Sequence, residues 1–585
     1  MAKNTSKINI ILLLLLLTVF AIGSAYAQVG KKGPVAKKIQ KLVATYQEKQ
    51  AQGYDLSEVR KTLRLIKAAR EKGDRPRVIQ LLRKIEIQLE QAKPPAASQD
   101  TKTPSAAQDT KAAAKPSRKN GSVVAKGPWP TYGHDRRHTC RSPYKGLTEQ
   151  PVKPKWTFTS PGGHGISSPT AIGDDGKLYV GTWKNRQFKR SKMKGHSGTL
   201  CSLFPDGTLD WMHDSERGSL LASGVESSPL LLSDGKIIFG KDDGHVYALN
   251  LKGEVIWDFS CDDPFDPDNP YDDNEQVIPS PVLGPNGIVY VCSHWANVYN
   301  PKVMGELSRR IPMIKRFNIK PVKKPQWSKI YAIDPRTGSR EWVYDLSLGS
   351  SYSKRITPAS PAVGDDGTIY FGTHDNSYRG YLYALNPDGT LKWIFPKSDQ
   401  EQIYTLSSTP SIADDGTIYI GSFSGKNKTS LYAINPDGTL KWYYEILENR
   451  ITAIPAIGPD GTIYVGSHNW GFISNPRMSK ESHMYAIRDL GDRPSLKWKF
   501  KVKYGIVAPS AIDVKGNIFF GTHSDPMISG KLGAFRLYAL NNKGEKLWSY
   551  PLNGKVYSPP VIDRDGTIYV GTTETDAKLY AFGKQ

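Results

Sequence analysis

The stretch STPSIADDGTIYIGSFSGKNKTSLYAINPDGTLKW, Ser408 to Trp442, decides the fold. It divides into four short strands. Ser411 to Ala413 runs into a tight turn at Asp414-Asp415-Gly416, and Thr417 to Gly421 leads away from it. Leu431 to Asn435 enters a second turn at Asn435-Pro436-Asp437-Gly438, and Leu440 to Trp442 closes the unit. Asp-Gly between alternating apolar residues marks a hairpin, because glycine supplies the positive φ that the turn demands. Two hairpins make a four-stranded antiparallel blade, and radial repetition of blades makes a propeller.

Two independent marks count the repeats. First-turn glycines stand at Gly176, Gly235, Gly287, Gly367, Gly416, Gly461, Gly516 and Gly566. Closing tryptophans stand at Trp156, Trp211, Trp257, Trp342, Trp393, Trp442, Trp498 and Trp548. Both sets number eight, but the first tryptophan precedes the first glycine and none follows the last glycine. The offset predicts that Lys155-Trp156-Thr157-Phe158 is the outermost strand of the blade that ends at Leu579-Tyr580-Ala581-Phe582. Such a pairing closes the ring and removes an exposed sheet edge. The predicted fold class is all-β, an eight-bladed propeller over residues 128–585 with a small helical region before it.

The copies DDGTIYFGT (365–373), LYALNPDGTLKW (382–393) and DRDGTIYVGT (563–572) resemble the pyrroloquinoline-quinone-like repeat of eight-bladed propellers. So does YAIDPRTG (331–338) with Trp342, and WPTYGHDRRHT (129–139) is similar to the entry segment of such propellers. The resemblance implies the fold more sharply than the function. The repeat is found in quinone-dependent alcohol and sugar dehydrogenases and in non-catalytic scaffolds such as the outer-membrane assembly propeller of Gram-negative bacteria. In the quinone enzymes an adjacent cysteine pair often covers the cofactor, an Asp acts as base, and Ca²⁺ sits beneath. This sequence holds no Cys-Cys and no C-x-x-C-H haem site, nor G-x-S-x-G, H-E-x-x-H or a phosphate-cradling glycine loop.

Ahead of the propeller the chain changes character three times. Lys3 and Lys7, an apolar run from Ile8 to about Gly23, and Ala25-Tyr26-Ala27 form a secretory signal with cleavage expected after Ala27. An uncleaved anchor is the other reading, though the run is short for a bilayer span. Residues 28–93 are basic, and their apolar residues are spaced for helices around Leu42 and Tyr46, around Val59 and Ile66, and around Ile85 and Leu89. Asp55 with Glu58 three residues on is a capping signal. Residues 94–127 are Ala, Ser, Pro, Lys, Thr, Gln and Asp, a linker composition. The chain carries +23 overall, of which residues 28–127 hold +14 and the propeller +7. That tail suits an anionic glycan or lipid surface, or simply a solvated extended linker, and export argues against nucleic acid.

Strand alternation puts the first and third connections of each blade, the short Asp-Gly turns, on one face. The second connections and the links between blades, which carry the long insertions, share the other. Just after the second strand, four blades place His294, His374, His468 and His523, and the others Trp183, Asp242, Phe423 and Thr573. The histidines suit a metal, an anionic ligand, or capping of nearby backbone. Trp183, Trp295 and Trp470 open long loops beside Lys and Arg, which suits stacking on a sugar, a quinone or a peptide aromatic, or packing over the blade rims. Asp266, Asp268, Asp272 and Asp273 form an acidic connection that can bind Ca²⁺ or salt-bridge the basic insertion at 301–324. Cys261 and Cys292 are expected at one edge of a blade, within reach of a disulfide that an exported protein can keep. The reading is a periplasmic or secreted, non-catalytic propeller that binds an envelope protein or an anionic surface polymer through the long-loop face. Trp183, His294, Trp295, His374, His468, Trp470 and His523 are its recognition residues. The alternative is a dehydrogenase of an alcohol or sugar using pyrroloquinoline quinone and Ca²⁺.

Overall fold

The computed structural model describes residues 122–151, 153–183, 198–214, 224–261, 275–295, 328–346, 355–356, 359–374, 379–397, 403, 406, 408–422, 429–446, 450–468, 482–523, 535–573 and 577–584, with scattered positions from 42 to 89. The chain divides into two compact units, residues 1–117 with 262–272, and residues 118–261 with 273–585. In the first unit, Leu42, Tyr46, Leu56, Val59, Ile66, Ile85 and Leu89 are buried, all members of the three apolar stripes. No helix among the described residues is long and apolar enough to cross a membrane. The signal segment and residues 94–121 of the expected 94–127 linker lie outside the described residues, while at its end the Ala125 N–H bonds the Leu231 carbonyl of blade two.

The second unit is a ring of eight antiparallel sheets. Blade one comprises Ala171–Ile172, Leu178–Gly181, Leu200–Leu203 and Leu209–His213. The same order recurs to blade eight, whose chain-terminal strand is Lys578–Phe582. That strand pairs with Trp156–Thr159, in the register Trp156↔Ala581 and Phe158↔Leu579. The ring is therefore closed by the segment that the offset between tryptophans and glycines indicated. Blades three and four each add one short strand, Glu275–Gln276 and Arg355–Ile356.

The turns form for the reason their residues suggest. All eight first-turn glycines lie at φ between 74° and 83°, where a side chain is strained. In blade five the Asp415 carboxylate accepts the Thr417 N–H at 2.9 Å and the Thr417 hydroxyl at 2.9 Å, fixing the turn from inside. Lys441 on the outer strand adds a 3.4 Å ion pair to Asp415. Lys392–Asp366, Lys497–Asp460 and Lys155–Asp565 repeat it. Blade one carries the pair with its charges exchanged, as Lys177–Asp210 at 2.9 Å.

Each outer-strand tryptophan joins its blade to the next. Trp156, Trp211, Trp257, Trp342, Trp393 and Trp498 donate their indole N–H to a carbonyl in the next blade's third turn at 2.9–3.0 Å. The rings lie on glycines 207, 253, 338, 389, 438 and 544, where an added Cβ would fall 2.6–2.8 Å from ring carbons. In the blade-six turn, where Asp489 to Arg493 replace Asn-Pro-Asp-Gly, Trp442 faces Asp489 instead. That carboxyl is held below its ordinary value despite burial, by Lys441, Trp442 and Tyr419.

Apolar cores fill the spaces between blades. Val289 and Val291 pack toward blade two, while Tyr290 and Cys292, one pleat over, pack toward blade four. This alternation corrects the disulfide expectation. Cys261 belongs to the core between blades two and three, Cys292 to the core between three and four, and all four cysteines are free and buried.

The segment from Val123 to Leu147 crosses the short-turn end of the ring. Its carbonyls at Trp129, Pro130, Arg136, Arg137, Thr139 and Cys140 accept the N–H groups of Ile172, Leu231, Val363, Ile412, Ile457 and Ile512. Six blades are thus tied to one strap at the ends of their inner strands. Asp135 holds the strap's turn, accepting the N–H groups of Arg137 at 2.9 Å and Thr139 at 3.3 Å and the Thr139 hydroxyl. Its carboxyl is held at about 2 despite burial, by His134 and Thr139. Arg136, Arg137 and Arg141 pair with Asp365 and Asp414, first-turn residues of blades four and five.

Candidate functional site

With one end of the axis strapped, the chemistry that varies between blades gathers at the other. There the chain enters each inner strand beside the end of the second strand. In blade six the main chains of Arg450 and His468 exchange two bonds of 2.9 Å, and in blade one those of Gly165 and Trp183 do the same at 3.0 and 2.8 Å. The His523, Thr573 and Asp242 N–H groups bond Gly505, Lys555 and Gly224 at 2.8, 3.0 and 3.1 Å. Blades three and four widen this pairing into the additional strands, with Gln276 opposite His294 and Arg355 opposite His374.

Behind this end, a chain of hydroxyls lines the inner strands. Ser228 N–H donates to Ser280 Oγ at 2.8 Å, Ser280 N–H to Ser360 Oγ at 2.8 Å, and Ser360 N–H to Thr409 Oγ1 at 2.9 Å. Ser280 and Ser360 each accept at the hydroxyl and donate from the main-chain N–H, so the series links blades two to five and pairs the amides of Ser228, Ser280 and Ser360.

Blades six to eight form one side of the site. His468 is buried, with Nε2 2.8 Å from the Thr452 hydroxyl and Nδ1 without a partner. His523 Nε2 lies 2.7 Å from the Tyr557 hydroxyl, which comes from the entry to blade eight. Burial, with Arg450 beside it, depresses His468 to about 3. Burial, then Lys555 and His468, depresses His523 likewise to about 3. Both imidazoles are therefore neutral near pH 7, and the fixed positive charge on this side belongs to Arg450 and Lys555.

Blade two forms a side of opposite character. Asp242 occupies the ring position held elsewhere by histidine, tryptophan, phenylalanine or threonine and is buried, with Oδ1 unpartnered. Its carboxyl is raised well above the ordinary value by burial and by Glu226. Burial raises Glu226 as well. Next to them Lys241 is 1% exposed and lies 3.6 Å from Asp243, whose carboxylate also accepts the Tyr247 hydroxyl at 2.9 Å. The Lys241 ammonium is lowered by burial against the pull of Asp243, Asp214 and, least, Asp242.

Of the sequence-derived site residues, Trp183, His374, His468 and His523 are described and stand at equivalent places in their blades. For His294 and Trp295 only the main chain is described. Trp470, Asp266, Asp268, Asp272 and Asp273 lie outside the described residues. Among the described residues no group of three His, Cys, Asp or Glu side chains is arranged to hold a metal ion. Sequence reasoning missed Glu226, Arg450, Lys555 and Tyr557, which precede inner strands at places without a fixed motif. The signal for the blade-two cluster was the run Lys241-Asp242-Asp243, where all seven other blades place Thr or Ser followed by one residue of varied chemistry.

The geometry defines the class: an eight-bladed β-propeller whose blades dock by tryptophan and whose variable residues share one end. The sequence profile of the family described as outer membrane protein assembly factor BamB matches residues 322–474. The quinohemoprotein alcohol dehydrogenase from Comamonas testosteroni superposes with a TM-score of 0.55 at 14% identity, covering 79% of this chain and 82% of that one. A europium-containing methanol dehydrogenase gives 0.52 at 13%, covering 78% and 98%. The quinohemoprotein alcohol dehydrogenase ADHIIG from Pseudomonas putida HK5 gives 0.53 at 15%, covering 78% and 80%. No curated protein sequence matches significantly. The profile match over residues 322–474 and these superpositions support the resemblance to eight-bladed propellers of the pyrroloquinoline-quinone-like repeat.

Proposed function

We propose that this protein is an exported, non-catalytic propeller that binds an envelope protein or an anionic surface polymer through its long-connection end. One observation carries the reading. The short-turn end is uniform and tied down by residues 123–147, whereas the opposite end changes chemistry from blade to blade: Trp183, Asp242, His374, His468, His523, Thr573. Repeated docking residues build a rigid frame, and recognition then falls to the connections the frame presents. Arg450 and Lys555 supply positive charge for an acidic partner. The family profile, described by a protein of outer-membrane assembly, agrees with a binding role.

The alternative is a dehydrogenase using pyrroloquinoline quinone and Ca²⁺. Arg450 and Lys555 suit an anionic planar group, but the described residues do not complete its site. Glu226 and Asp242 supply two carboxylates where Ca²⁺ takes six to eight oxygens, and the cysteines lie apart in blade cores.

The test is capture of a crosslinked partner from envelope extract by the intact chain, by Trp183→Ala and His374→Ala variants, and by an Arg136→Ala control at the strapped end. Loss of the same partner in the first two but not the control supports the reading. Saturable binding of pyrroloquinoline quinone with Ca²⁺ and dye reduction on an alcohol or sugar would replace it.

A further inference from the structure

Blade two departs from its neighbours in a way that points to one kind of ligand. Asp242 is 6% exposed, and its Oδ1 finds no hydrogen-bond partner. Its Oδ2 faces Gly224: a Cβ built there would lie 3.4 Å from Oδ2 and 2.4 Å from Cδ1 of Trp183. The indole therefore packs directly on Gly224, where a side chain would stand, with the Asp242 carboxylate beside it. Glu226, two residues further along the same segment, is half-buried and repels Asp242 electrostatically.

Burying two interacting carboxylates is costly unless a cation accompanies them. The cation at hand, Lys241, is directed at Asp243 and Asp214 ahead of Asp242. Asp243 also accepts from Tyr247 and from the His245 N–H. Among the described residues Lys241 is the cation that acts on Asp242, and it does so least of its carboxylate neighbours, so there the Glu226–Asp242 pair is one cation short. A hard metal ion would find two side-chain carboxylates and an indole that gives it nothing. An organic cation is served by all three, because an indole attracts ammonium and guanidinium groups and covers their apolar stems.

We propose that Trp183, Glu226 and Asp242 form a receiving site for an organic cation, the ammonium or guanidinium group of a lysine or arginine side chain on a bound protein. The inference rests on the long-connection end being the recognition surface and names the group that one sector of it takes. Blade two then reads a basic side chain, while Arg450 and Lys555 across the ring read acidic ones. The rise of both carboxyls in the free protein is the response of a cation site holding a proton instead.

The test is calorimetric titration of the full chain at pH 8 with N-acetyl-arginine amide and N-acetyl-lysine amide, with the neutral N-acetyl-citrulline amide and CaCl₂ as further arms. Saturable binding of a cationic amide, undetectable binding of the citrulline analogue, and at least tenfold weakening in Asp242→Asn and Trp183→Ala are expected. Affinity should also fall from pH 8 to pH 5 as the carboxyls take protons. Glu226→Gln, at a half-buried position, serves if a variant at Asp242 unfolds. Equal binding of the citrulline analogue, no saturation by either cation, or saturable Ca²⁺ binding alone overturns the site. Such a failure is separable from failure of the binding role, because partner capture by Asp242→Asn would then persist unchanged.

Discussion

The Trp548 indole donates its N–H to the Leu147 carbonyl at 2.9 Å, across 401 residues of sequence. Trp156, Trp211, Trp257, Trp342, Trp393 and Trp498 reach instead a carbonyl in the third turn of the following blade. Blade eight has no such turn, because its outermost strand comes from the start of the ring. The strap supplies the missing carbonyl, and Trp156–Thr159 supplies the missing strand. Closure therefore has two latches of unequal strength. Trp548→Phe keeps a six-membered aromatic ring but removes the indole N–H and the fused five-membered ring of a fully buried side chain, a loss of about 1–2 kcal/mol. Phe158→Ala empties a buried position in the latching strand and should cost about 3–4 kcal/mol. Urea unfolding of both variants ranks them; equal losses would mean the strand is not the main latch.

The docking glycines make a sharper contrast. Gly438 has φ +82 and would place a Cβ 2.6 Å from Trp393, whereas Gly491, with φ +97, has nothing within 4 Å of that position. Both alanine variants bear the same backbone strain, of order 1–3 kcal/mol. Gly438→Ala must in addition displace a tryptophan from its blade contact. Its thermal midpoint should fall further than that of Gly491→Ala, and Trp393→Ala should bring the two variants closer together. Equal midpoints for the two glycine variants would remove the tryptophan contact from the account of blade docking.

What the sequence disclosed follows from what repeats. Asp-Gly turns and Lys-Trp strands recur because each blade solves the same packing problem, so Gly416 and Trp442 predict Gly461 and Trp498. The closure at Trp156 was legible as a mismatch between two counts. The strap was not, because Asp135 and the carbonyls of residues 129–140 act through main-chain bonds that any residue types can offer. The site was legible only as positions. Trp183, His374, His468 and His523 could be placed at the end of their second strands. The partners Thr452 of His468 and Tyr557 of His523, and Glu226 beside Asp242, come from entry segments whose alignment across blades only the fold supplies. The disulfide failed on parity: with two-residue periodicity, Cys292 points to the far side of its strand from Cys261.

The cysteines give a direct check on that parity. All four are buried, and burial pushes the Cys201 thiol up to about 11 and those of Cys140 and Cys292 higher still. Thiols held protonated inside blade cores react slowly. Native protein at pH 8 should take up no alkylating reagent, and protein unfolded in guanidinium without reductant should take up four equivalents. Two equivalents on unfolding would restore a disulfide.

Three buried histidines set the acid limit of the fold. His138, at the strap, is depressed to about 4 by burial, and His468 and His523 to about 3. A folded pKa below the ordinary 6.5 means that the unfolded chain takes protons first as pH falls. Stability from these groups is therefore full above pH 6.5 and declines as pH drops from there to about 4 for His138 and about 3 for His468 and His523, each group contributing up to about 1.4 kcal/mol per pH unit. Glu226 and Asp242 run the other way, because their raised folded values favour the protein at low pH and cost it stability as pH rises past the ordinary carboxyl range. The variant His468→Gln/His523→Gln keeps a side chain able to reach Thr452 and Tyr557 but cannot titrate. Its thermal midpoint should fall less between pH 8 and pH 5 than that of the natural protein. Glu226→Gln should raise the midpoint at pH 8 and leave it nearly unchanged at pH 5, so that its fall over the same interval is larger. If both variants show the natural protein's fall, the acid sensitivity belongs to other groups.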